Sequence, residues 1–249
     1  MQLDYFNRLD GVVRSLVEEI EARIGFEITV KLDSASQLPK SSEPRGLRCE
    51  VDQYKAEIAS ASVDYFPDSS VFHELLHIRR FLVDGIPKLT VCEDYEPWTP
   101  RLESAILHLD NSLEHLVIIP IELRQFPDRR AYWEKRFEAQ TRRLFTGELS
   151  ETDRRWMASL VSVSVEHLGL GREAREAADI VVQRFGAKSL TRVYQEALAA
   201  TISSKEHLAR ATFDCFELPL VATCLEYINT SYGSTQYVPL KEILSSLRS

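Results

Sequence analysis

The chemistry this sequence offers most directly lies in five consecutive residues, His73-Glu74-Leu75-Leu76-His77. Two His four positions apart on a helix project from one face, so both imidazoles can reach a single zinc ion. The Glu lies one position round from the first His, where its carboxylate meets a water held by that ion. Zinc lowers the pKa of such a water toward ~7, and the carboxylate then takes its proton. The hydroxide attacks a polarised carbonyl and the Glu passes the proton to the leaving amine, which is amide hydrolysis. The residues predict one Zn2+ per chain, His73 and His77 as ligands and Glu74 as general base. Phe72, Leu75, Leu76 and Leu82 are expected to turn away from the His face of an amphipathic helix.

Here the chain resembles the zincin superfamily of metallopeptidases. In zincins a helix bearing His-Glu-x-x-His packs under a small twisted sheet whose edge strand holds the substrate extended. The likeness covers Phe26 to about Ile119 as architecture, with the five motif residues as its match. It implies ligands at His73 and His77 and a base at Glu74; the acidic chain, the absence of a secretion signal and the helical C-terminal half point to a specific intracellular protein or peptide as substrate.

A catalytic zinc takes three protein ligands and keeps one open position. Metzincins place a third His six residues beyond the motif, after a Gly. Here those positions hold Val83 and Arg80, so the metzincin extension is absent. The gluzincin branch takes a Glu from a later helix, and resemblance to it favours Glu114. A helical wheel at ~100° per residue gives a core stripe of Leu102, Ala105, Ile106, Leu109, Leu113, Leu116 and Val117. His108, Asn111, His115 and Glu122 gather opposite that stripe if the helix runs through Pro120, with Glu114 at the border. The wheel favours His115, and both alternatives stay open, with His108 as a further candidate. Asn111, one turn before His115, is placed to orient a ligand by hydrogen bonding. Arg80 shares the face of His73 and His77. It could meet a substrate carboxylate or an oxyanion, or simply pair with Asp84. Tyr132, Tyr194 and Tyr227 could each donate to a tetrahedral intermediate, and nothing in the sequence chooses among them. His167 and His207 are expected on helix surfaces.

The elements that must position these groups follow from periodicity. Apolar residues from Leu9 to Ile24 recur at helical spacing within a segment beginning at Tyr5, and Gly25 stands where a helix stops. Phe26, Ile28, Val30 and Leu32 alternate with Glu27, Thr29, Lys31 and Asp33, the pattern of a half-buried strand. Ser34 to Gly46 is loop by composition. Leu47, Cys49, Val51 and then Tyr54, Ala56, Ile58 suggest a hairpin turning at Asp52-Gln53. Pro67 to Ser70 supplies a turn and N-caps for a helix over Val71 to Val83, stopped near Gly85 and Pro87. Beyond Pro100 the pattern is helical almost to the end, with breaks at Pro120, Pro127, Gly147, Gly169 to Gly171, Gly186 and Pro219. All strands are therefore expected in the first quarter. The predicted class is α+β: a small N-terminal twisted sheet with an active-site helix, then a mainly helical C-terminal half. The expected division is 1–146, a zincin-like domain, and 147–249, a helical subdomain.

Composition bounds the alternatives. With 249 residues, 44% hydrophobic and 27% charged, the chain has the make-up of a folded globular protein. The formal net charge of -8 disfavours general gripping of nucleic acid, apart from a local basic run over 124–143. The longest apolar runs fall short of the ~20 residues of a membrane span. Asp4, Arg8 and Asp10 interrupt any signal-like start, so a cytoplasmic location is expected. Four scattered Cys without a Cys-x-x-Cys pair point to reduced thiols, with Cys215 and Cys224 as small buried apolar groups. A second reading is a binding or scaffold protein with a structural or vestigial metal. It would meet its partner through the C-terminal helices, the basic run or the tail Val238 to Leu244.

Overall fold

The computed structural model describes residues 1–32, 46–146 and 149–244. The predicted loop from Ser34 lies outside these residues up to its last position, and so does the break at Gly147. The class is α+β, with a small three-stranded sheet on the N-terminal side and a mainly helical C-terminal half. Two compact units divide the chain, Met1–Lys88 with Glu226–Tyr237, and Leu89–Leu225 with Val238–Ser249. The expected boundary at 146 falls inside the second unit.

In the first unit the predicted opening helix is interrupted. A short α1 (Leu3–Phe6) precedes α2 (Gly11–Ile24), because Asp10 accepts the Val13 N–H and caps α2. α2 buries Val13, Leu16, Val17, Ile20 and Ile24, and Gly25 ends it at φ 82°, a conformation that glycine adopts without a Cβ clash. β1 (Ile28–Leu32) runs parallel to β3 (Lys55–Ser60), and β2 (Arg48–Asp52) pairs antiparallel to β3, giving the order β1-β3-β2. The β2–β3 turn is at Gln53-Tyr54, one residue later than expected. Asp52 Oδ1 accepts the Tyr54 N–H at 2.8 Å, a local bond that favours this register. Gln2 closes the other side of β1, accepting the Val30 N–H and donating to its carbonyl.

The motif helix, α3 (Asp68–Leu82), begins one turn earlier than expected, directly after Pro67. Asp68 Oδ1 accepts the Asp10 N–H at 2.8 Å, which joins the start of α3 to the cap of α2. Burial wraps most of α3, taking in Val71, Phe72, Leu75, Leu76, Ile78 and Phe81 together with both motif His. A helix enclosed in this way does not present a solvated His face.

The second unit is built from α4 (Pro100–Gln125), α5 (Arg130–Thr146), α6 (Glu151–His167), α7 (Arg172–Arg184), α8 (Lys188–Thr201) and α9 (Lys205–Cys215). Ile119, Leu123, Trp133, Phe137, Val161 and Val165 belong to one apolar cluster, and Leu144, Ala158, Val181, Val182 and Ala187 form another. The expectation that every strand lies in the first quarter is corrected. β4 (Lys88–Val91), β5 (Thr223–Asn229) and β6 (Ser234–Pro239) make a second three-stranded sheet, in the order β4-β5-β6. The alternation in Thr223–Asn229 is weak because Thr223, Cys224 and Leu225 are buried in succession. A strand covered on both faces loses the period-two signal.

The expectation of four reduced thiols is also corrected, since Cys92 and Cys224 form a disulfide with Cα atoms 5.3 Å apart. Cys49 and Cys215 are free. The tail is packed in the second unit: Leu240 is buried, and Arg210 donates to the carbonyls of Lys241 and Ile243. No helix among the described residues is long and apolar enough to cross a membrane.

Candidate metal centre

His73 and His77 stand one turn apart on α3, 7% and 5% exposed, with ring centroids 5.0 Å apart. His115 of α4 offers a third imidazole, and the ligand atoms of the three all lie within 4.8 Å of one another. Among the described residues this is the group able to hold a metal ion. Nitrogens bound at 2.0–2.1 Å around a tetrahedral ion sit roughly 3.3 Å from one another. Three neutral imidazoles form a donor set known for catalytic zinc, and they leave a fourth position for a reactant.

Glu74, half-buried, extends to β2, where its Oε2 accepts the Cys49 N–H at 2.8 Å. Burial pushes the Cys49 thiol well above its usual range, and the nearby Glu74 charge pushes it the same way. Cys49 is therefore a neutral neighbour of Glu74. Sequence reasoning placed it only as a strand residue, and no local pattern linked it to the motif.

Of the two alternatives for the third ligand, the structure brings His115 to the motif pair. Glu114 is fully buried and turned to another task. Lys205 Nζ lies 2.7 Å from its Oε1 and 2.6 Å from Asp110 Oδ1, and all three side chains are buried. Asp110 Oδ1 also accepts the Leu89 N–H at 2.8 Å. Burial raises the Asp110 pKa above its ordinary value, Lys205 opposes the rise, and the Glu114 charge adds to it.

The predicted wheel of α4 is corrected accordingly. Its buried stripe includes Asp110, Glu114 and Glu122 alongside Ile106, Leu113, Leu116, Ile118 and Ile119, while Ala105 is exposed and Leu102 only half-buried. The wheel set Glu122 opposite the core stripe and Glu114 at its border. Buried cations and donors hold them in. Glu122 Oε1 accepts from Arg129 Nε at 2.8 Å, and its Oε2 accepts from Trp133 Nε1 at 3.0 Å. The Trp133 ring in turn meets His115 edge-on, with centroids 5.2 Å apart.

The remaining candidates are dispersed. His108 and Asn111 are exposed on α4. Arg80 is half-buried, and Asp84 lies 3.7 Å from Arg79, which also pairs with Glu19 at 3.3 Å. Tyr194 is fully buried beside Thr212, which removes it from any exposed reaction centre. Burial raises its pKa far beyond the ordinary tyrosine value. Tyr132 is exposed and Tyr227 half-buried. The basic run is partly internal, since Arg129 serves Glu122 and Arg130 donates to the Gly169 carbonyl.

α4 runs unbroken through Pro120, contrary to the expected break. Proline has no N–H for the Leu116 carbonyl one turn earlier. His167, expected to be an ordinary surface residue, supplies the missing donor, with its Nε2–H 3.0 Å from that carbonyl.

Comparison with protein-family models, curated proteins and solved structures found no match to this chain.

Proposed function

We propose that this protein is a zinc-dependent hydrolase acting on amide bonds of a protein or peptide. The observation that carries this reading is the approach of His115 of α4 to His73 and His77 of the His-Glu-x-x-His helix, which also bears Glu74. The three imidazoles would hold the ion and leave a coordination position open, as catalysis requires and a closed structural site does not. When bound, zinc supplies Lewis acidity toward a carbonyl oxygen and toward water. Glu74 contributes the base: its Oε2 is steadied by the Cys49 amide, and its carboxylate accepts a proton and returns it to the departing nitrogen. Enclosure of His73 and His77 keeps them from bulk water and fixes their orientation. A structural-metal reading retains one supporting fact, the tie between Glu74 and β2.

The experiment is metal analysis joined to substitution. The purified chain is expected to bind one equivalent of zinc, and His73→Ala or His115→Ala should lower affinity by at least about a hundredfold. Glu114→Gln should leave the metal in place if it perturbs only the ion cluster with Lys205. Metal loss in Glu114→Gln with retention in His115→Ala would reverse the ligand assignment.

Glu74→Gln is expected to keep both metal and fold while lowering peptide hydrolysis by about 10²–10⁴-fold, the range for loss of a general base. Turnover close to that of the parent in this variant would remove Glu74 from the mechanism. Hydrolysis absent from the zinc-loaded parent across a peptide library would favour the structural-metal reading.

A further inference from the structure

The outer side of α5 carries charge that the metal centre does not use. The helix holds five Lys and Arg against two Glu, in a chain whose formal net charge is -8. Both Glu are engaged: Glu134 accepts the Gly171 N–H at 2.8 Å, and Glu138 pairs with Arg142 at 3.5 Å. Trp133, Phe137, Thr141 and Leu144 take the buried side. Lys135, Arg136, Arg142 and Arg143 are left on the opposite face, all exposed. Among the described residues no carboxylate pairs with Lys135, Arg136 or Arg143. Lys135 and Arg142 are two turns apart, as are Arg136 and Arg143, so the four cations form two rungs about 10 Å apart along the axis. Arg136 is held in place, donating to Tyr132 Oη at 3.2 Å with its guanidinium 5.7 Å from the centre of the Trp133 ring. The same ring meets His115 edge-on, so this end of the stripe adjoins the third imidazole.

Four cations fixed on one helix face complement a run of carboxylates, and each guanidinium can take a carboxylate through two parallel hydrogen bonds. We infer that this face of α5 docks a short acidic segment of a partner protein. The spacing sets the size of the occupant: an extended chain rises about 3.4 Å per residue, so about four residues reach from one rung to the next. A nucleic acid strand fits the surroundings less well, because its charge continues past the stripe. α7 packs against α5 and exposes both signs, Glu173, Glu176 and Asp179 beside Arg172 and Arg175. The chain as a whole is acidic. Further phosphates would meet that negative field, whereas a short acidic stretch ends where the cations end. The inference rests on the hydrolase reading only in making the docked partner the substrate. A segment held at Arg136 lies beside His115, so docking would bring the adjoining residues toward the metal.

The test is fluorescence anisotropy with the full chain, once stripped of metal and once loaded with zinc, at about 20 mM salt where charges are weakly screened. The probes are fluorescein-labelled Gly-Asp-Glu-Glu-Asp-Glu-Gly, its neutral counterpart Gly-Asn-Gln-Gln-Asn-Gln-Gly, and oligothymidylate of the same charge as the acidic peptide. The acidic peptide is expected to bind at least about tenfold more tightly than the neutral one, through several exposed ion pairs acting together. The difference should shrink at about 300 mM salt, as screening shortens the reach of surface charge. Arg136→Glu combined with Arg143→Glu should abolish the preference. Lys135→Glu combined with Arg143→Glu, which leaves the Tyr132 and Trp133 contacts of Arg136 alone, should do the same. Arg172→Glu combined with Arg175→Glu makes an equal change of net charge on α7 and should leave the preference nearly intact. Circular dichroism and zinc uptake should match the parent in every variant. Equal binding of the acidic and neutral peptides, or the same loss from the α7 pair as from the α5 pairs, would overturn the inference. Tighter binding of oligothymidylate than of the acidic peptide would overturn the protein segment as the occupant in favour of nucleic acid. Acid-selective binding through α5 by a chain that takes up no zinc would uphold the docking face and remove the hydrolase reading.

Discussion

At the scale of single residues, α4 shows how neighbouring positions can take unrelated tasks. Glu114 and His115 are adjacent and both are chemically able to bind zinc. Burial separates them: Glu114 meets Lys205 inside the second unit, while His115 stays half-exposed with the motif imidazoles in reach. Two carboxylates share one ammonium in that buried cluster. Burial and the second carboxylate therefore raise the pKa of Asp110. The sign of the consequence follows from linkage. The native state holds a proton that the unfolded chain has already released. The stabilisation is full below the unfolded value, ~3.9, and is lost as pH rises through the higher folded value. Asp110→Asn is expected to flatten this decline, measured by urea unfolding at several pH values upward from about 4. A slope unchanged in the variant would assign the titration elsewhere.

At the scale of elements, the continuity of α4 depends on a donor from outside the helix. Pro120 leaves the Leu116 carbonyl without its usual partner, and His167 at the end of α6 replaces it. Replacing His167 by Leu should cost about 1–3 kcal/mol, the range for a buried acceptor left unsatisfied. Pro120→Ala restores the internal N–H, so the same His167→Leu change should cost much less in that background. A double-mutant cycle on chemical unfolding reads the coupling. Equal costs in the two backgrounds would show that His167 acts by packing alone.

At the scale of the whole molecule, the chain returns on itself. Residues Glu226–Tyr237 belong to the first compact unit although they follow six long helices of the second. Within the second unit Cys92 and Cys224 close a loop across 132 positions, and the Cys92 N–H donates to the Ala222 carbonyl alongside. A crosslink across so long a loop restricts the unfolded chain strongly, by roughly 3–5 kcal/mol in chain-entropy terms. Cys92→Ala should lower the unfolding midpoint of the oxidised protein. Reductant should bring the parent down to the same midpoint without further affecting the variant. A parent indifferent to reductant would show that the bridge contributes nothing to stability.

What the sequence alone determined is what depends on local geometry. Four-residue spacing on one helix brings His73 and His77 to one side whatever surrounds them, and Gly25 ends α2 because a left-handed backbone favours glycine. β1, the β2–β3 hairpin and α3 were legible for the same reason, through period-two and 3.6-residue patterns. The remainder needed tertiary structure. No local rule says that Lys205 will bury Asp110 and Glu114, so the wheel of α4 left Glu114 at the border of its two faces. No rule ties Cys49 to Glu74 or Cys92 to Cys224. The placing of His115 near the motif pair, with Glu114 on Lys205, belongs to this second kind. Both residues satisfy the chemistry of a ligand, and the outcome rests on which distant group each one meets when the chain folds.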